Sequence, residues 1–158
     1  MAKVSFSKFG AKVNTEKKVY NFINSKGENI EYEINKYLPF ADKLDLISNI
    51  INQSVDDNGY YNPLRLKLYM TLEVVYAYTN LNFTDKMKED PFKLYDSIIN
   101  TNILDNIIDA IGDQDWKEIE NYTHLVIDNI YKYKNSAMGI LEMITEDYDG
   151  LNLDAQNI

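Results

Sequence analysis

The sequence predicts a mainly α (α+β) fold: an N-terminal β-hairpin followed by a bundle of about five helices with a long C-terminal helix. Three observations carry this. Ile30, Tyr32 and Ile34 alternate with Glu31 and Glu33, the period of a strand with one apolar face. From Pro39 onward the apolar spacing changes to three and four residues, that of a helix packed on one side. Two cap-then-proline pairs, Asn62-Pro63 and Asp90-Pro91, mark helix starts inside that region.

The hairpin comes first. Lys18–Ile23 and Glu28–Ile34 flank Asn24-Ser-Lys-Gly27, a short link with glycine where a turn needs positive φ. A hairpin this small needs a helix or a second chain over its apolar face. The first helix is expected from Pro39 to about Val55, with Leu44, Ile47, Ile51 and Val55 inward and Ile50 beside them. The second starts at Asn62-Pro63 and runs to about Thr79. Its stripe is Leu64, Leu68, Leu72, Val75 and Tyr76, and Leu66, Tyr69, Val74 and Tyr78 widen it enough to place the helix in mid-bundle.

A polar segment from Asn80 to Asp90 holds one short helical turn near Thr84–Lys88. Asp90-Pro91 starts a third helix, Pro91 to about Asn100. A fourth carries Ile103, Leu104, Ile107, Ile108 and Ile111 and is ended by Gly112. Asp113 is positioned to cap the last helix, whose apolar positions run from Trp116 to Ile144. Unbroken, that helix would measure about 45 Å. It therefore either kinks near Asn135-Ser136 or projects at one end. The expected organisation is a basic, partly flexible arm at 1–17, one hairpin-plus-bundle domain at 18–145 and an acidic tail at 146–158.

Composition narrows the function classes. At 45% hydrophobic and 26% charged residues the chain reads as globular. The best apolar run, Leu64–Leu81, is broken by Arg65, Lys67 and Glu73, so no membrane span is expected. Met1–Asn14 lacks the apolar core of a secretory signal, which makes the cytoplasm the expected location. Without cysteine there are no disulfides, thiolate metal sites or cysteine nucleophiles. The net charge is −9 although residues 1–18 hold five lysines against one glutamate, so the body is strongly acidic and repels phosphate backbones.

No motif nominates chemistry. His124, the single histidine, has Glu120 and Asp128 at helical spacing, a weak metal-site or base arrangement that a solvated charged face explains more simply. Asp105 and Asp109 share a helix face, but with 25 acidic residues such pairs arise by chance. Asp56-Asp57-Asn58-Gly59 and Asp147-Tyr-Asp149-Gly150 have calcium-loop oxygens, yet position twelve is Lys67 in one and Ile158 in the other, not glutamate. Phosphate-loop glycine patterns are missing. The expectation is a non-enzyme with no catalytic residue, no metal and no cofactor.

Thirteen tyrosines are the compositional outlier. Tyrosine buries a ring while keeping its hydroxyl wet, which suits interfaces as well as helix edges. The candidate protein-binding residues are Tyr69, Leu72, Tyr76, Tyr122, Tyr131 and Tyr133, with helix two and the long last helix as walls of a groove.

Four stretches carry a family resemblance: Lys36–Asn52, Asn62–Tyr69, Tyr76–Asp85 and Tyr133–Glu142. Together they resemble small proteins encoded among the structural genes of tailed bacteriophages of Gram-positive bacteria, similar to tail assembly chaperones. The resemblance implies action in the host cell cytoplasm, on the tape-measure protein, while tail subunits assemble around it. It assigns no functional residue. Other phage tail proteins are the alternative partners, and a homo-oligomer stays open. The competing functions are a virion structural subunit (head–tail or tail) and a phage inhibitor of a host protein.

Overall fold

A computed structural model of the 158-residue chain describes residues 14–56, 60–136, 138–142 and 145, with Ser5, Ser7, Gly10 and Lys12. The acidic tail at 146–158, most of the arm at 1–17, and Asp57–Gly59 of the first calcium-like loop lie outside the described residues. So do Ile144 and the second such loop.

The chain forms an antiparallel hairpin, β1 (Lys17–Ile23) and β2 (Asn29–Asn35), followed by helices: the α+β arrangement read from the sequence. The helices are α1 (Phe40–Ser54), α2 (Pro63–Tyr78), α3 (Asp85–Lys88), α4 (Pro91–Ile99), α5 (Ile103–Ile111) and α6 (Asp113–Lys134). Residues 138–142 are helical again. Two compact units result, Met1–Ile119 and Glu120–Ile158.

In the first unit the hairpin turns at Asn24–Gly27. The Asn24 side chain accepts from the amides of Lys26 and Glu28, and Gly27 adopts φ 79°. Register follows from that turn: Tyr20 stands opposite Tyr32 and Lys18 opposite Ile34. Tyr32 and Ile34 are buried. The far edge of β2 is closed at one end by the residues that follow α2: Ile34 bridges Thr79, the Asn80 amide donates to the Glu33 carbonyl at 3.2 Å, and the Glu33 amide donates to Asn80 Oδ1 at 2.9 Å.

α2 occupies the middle of this unit and packs against α1, α4 and α5. Asn62 Oδ1 accepts from the amides of Leu64 and Arg65, which supplies the cap its proline-led first turn needs. Asp90 caps α4 in the same way through the Lys93 amide. Ile50, Leu72, Val74, Val75, Tyr78, Ile107 and Ile119 form the core with Ile34.

Two helix phases differ from expectation. In α1 the buried side is Leu46, Ile47, Ile50, Ile51 and Ser54, and Leu44 is half exposed. In α2 Leu64 is 80% exposed, because it precedes the first complete turn and Leu66 and Leu68 take the inward positions. Asp113 is the first residue of α6 instead of its cap; Gly112 alone separates α5 from α6, at φ 85° and ψ 155°.

In the second unit the last helix is broken where the sequence allowed a kink. The amide and Oγ of Ser136 both donate to the Tyr133 carbonyl. Ser136 Oγ then accepts from the Gly139 amide, an N-cap for the next helix. Gly139 is buried so close to this corner that a built Cβ would run into the Tyr133 carbonyl oxygen.

Candidate protein-binding surface

The tyrosine and leucine positions divide between the two units. On α2, Leu72 is 1% exposed and belongs to the core, so it cannot meet a partner; this corrects its place among the binding candidates. Its neighbours explain why: apolar residues surround α2 on nearly every side, and the stripe that spacing alone selects is the most deeply covered. Tyr69 and Tyr76 are half buried. The Tyr76 ring lies 4.9 Å from that of Phe83, centroid to centroid, with the Lys88 ammonium 5.0 Å from its own centroid. Burial, then the nearby Glu73 carboxylate, pushes the Tyr76 phenol above its ordinary value. It is a packed residue with a wet rim.

On α6 the picture reverses. Ile119, Thr123 and Ile127 are buried at intervals of four, while Tyr122, Leu125, Val126, Ile130, Tyr131 and Tyr133 are exposed. Met138, Ile140 and Leu141 add exposed apolar surface just beyond the Ser136 corner. Within the second unit, Val126, Asn129, Ile130, Tyr133, Lys134, Gly139 and Glu142 line an open groove of about 480 Å³. Val126, Ile130 and Tyr133 supply its apolar lining, and Lys134 and Glu142 are its charged members. The Tyr133 hydroxyl donates to Glu142 Oε2 at 2.7 Å, tying the two walls together, and the carboxylate raises the phenol's pKa.

Of the candidates, then, Tyr122, Tyr131 and Tyr133 lie on exposed surface, and Tyr133 alone lines the groove. Val126, Ile130, Met138 and Leu141, which the sequence did not single out for binding, are exposed as well. The signal available was their number: a helix whose apolar residues cover both a buried stripe and the side next to it.

The acid–base candidates fall elsewhere. Asp109 Oδ2 receives the Lys18 ammonium and the Tyr20 hydroxyl, so it is a hairpin anchor. Those hydrogen bonds, Lys18 first, hold its carboxyl below the usual range. His124 is exposed, and its Nδ1 lies 2.7 Å from the Glu120 carbonyl oxygen of its own helix. Among the described residues no three His, Asp or Glu side chains are grouped to hold a metal ion, and no helix is long and apolar enough to cross a membrane. What the surface can do chemically is bury another apolar side. No family model, curated protein or solved structure matches the chain.

Proposed function

We propose that the chain is a non-enzymatic phage morphogenesis protein, a tail assembly chaperone that holds helical segments of the tape-measure protein in the host cytoplasm. One observation carries the reading: the exposed apolar face of α6 and of residues 138–141, with its tyrosine-lined groove. Monomeric soluble proteins keep such contiguous faces small unless something docks there. An amphipathic helix of a long assembly protein fits by chemistry, its apolar side on Val126, Ile130 and Tyr133 and its polar side outward. The acidic body keeps the complex in solution.

Co-expression with a long helical phage tail protein tests this. The wild-type chain should keep that protein soluble in a complex that survives gel filtration, and Ile130→Lys combined with Tyr133→Lys should lose it. Unchanged solubility, with no complex, sinks the reading. Mass spectrometry of purified virions separates a chaperone, absent from particles, from a structural subunit, which stays in them.

A further inference from the structure

We propose that two copies of this chain pair through the free edge of β1, antiparallel about Tyr20, to make a continuous four-stranded sheet. The hairpin's hydrogen bonds fix which groups are available. The Asn24 amide donates to the Glu28 carbonyl and the Lys36 amide to the Glu16 carbonyl. In an antiparallel ladder the inward-bonding residues of β1 are then Lys18, Tyr20 and Phe22. Lys17, Val19, Asn21 and Ile23 therefore turn their amides and carbonyls outward. Among the described residues no strand pairs with them.

This edge lacks the usual protections. It contains no proline and no bulge, and its seven residues include Val19, Tyr20, Phe22 and Ile23, all strand formers. Lysines are the remaining deterrent, and they stand together at one end. Lys17 is engaged by Glu33 at 2.7 Å and Lys18 by Asp109, so both charges are partly offset within the chain. Their position also selects the direction. A parallel neighbour would set lysine beside lysine. The antiparallel register sets Lys17 opposite Ile23 of the second copy, Val19 opposite Asn21 and Tyr20 opposite Tyr20, so like charges stand at opposite ends and every outward amide finds a carbonyl.

A second copy fits better than an open series of copies. One end of the sheet's other edge, at Glu33 and Ile34, is already taken by Thr79 and Asn80. A β1-to-β1 contact is isologous and closes on itself. The inference is independent of the chaperone reading: it concerns a different face and is tested on the purified chain alone.

Sedimentation velocity over a concentration series is the experiment. The wild-type chain should pass from monomer to dimer and stop there. Val19→Pro removes an outward amide that the hairpin does not use, so the fold should persist, checked by the nuclear Overhauser contact between Tyr20 and Tyr32, while the dimer is lost. Ile23→Lys should weaken the dimer several-fold through repulsion with Lys17 of the second copy, and Ile23→Glu should leave it intact or tighten it. A wild-type chain that stays monomeric at every concentration overturns the proposal. So does a dimer indifferent to Val19→Pro, or one that responds alike to lysine and glutamate at position 23.

Discussion

Leu72 and Asp109 show how far a side chain's role depends on what arrives from elsewhere in the chain. Leu72 is 1% exposed on the central helix α2, and its truncation removes buried methyl groups and opens a cavity. Leu72→Ala is expected to lower the unfolding free energy by about 2–5 kcal/mol, read from the urea midpoint at unchanged slope. Asp109 looks in sequence like one more surface acid, paired with Asp105 by helical spacing. Nothing local reveals that Lys18, 91 positions earlier, and Tyr20 both end on its carboxylate. Its pKa is depressed in the folded chain, so the contribution is present above the ordinary carboxylate pKa of about 3.9 and is lost as pH falls through the folded value. Thermal midpoints should follow that sign: wild type above Asp109→Asn from pH 6 to 8, with the gap closing below about pH 4. A gap that persists undiminished in acid would count against the anchor.

Elements were more legible than side chains because caps and periods are local. Asn62-Pro63, Asp90-Pro91 and the Asn24–Gly27 turn begin or end elements where the sequence indicates. Helix phase was less so. Leu44 and Leu64 fit the apolar spacing, but Leu44 is half exposed and Leu64 mostly exposed, and a period cannot tell which end of a stripe is roofed. Gly112 is the sharpest local requirement. At φ 85° and ψ 155° it occupies a region that is essentially closed to side chains, and a Cβ there would meet nothing within 4 Å. The cost of Gly112→Ala is therefore conformational, about 1–3 kcal/mol, and chemical denaturation should show it without any cavity or clash in the variant's structure.

For the molecule as a whole, the excess of apolar helix faces over core is the property that points to function. The sequence displayed the excess as a wide stripe on the last helix but could not say where cover stops, since Ile127 and Ile130 obey the same spacing and only the first is buried. The boundary between the two units, at Ile119 and Glu120, has no counterpart in composition because it falls within α6. Substitution should separate stability from binding here. Ile130→Lys with Leu141→Lys is expected to leave the unfolding free energy within about 0.5 kcal/mol of wild type and to lower the fluorescence of a dye that reports exposed apolar surface. A large fall in stability would show instead that these positions are structural.

The joint at Gly112 also limits how this chain can vary in length. Each residue of an α-helix advances about 100° around the axis, from 3.6 residues per turn. A one-residue insertion or deletion between α5 and α6 would therefore swing Ile119 a quarter-turn or more away from its present buried bearing. This joint has a single residue to absorb such a change, so the burial of Ile119 fixes the chain's length here.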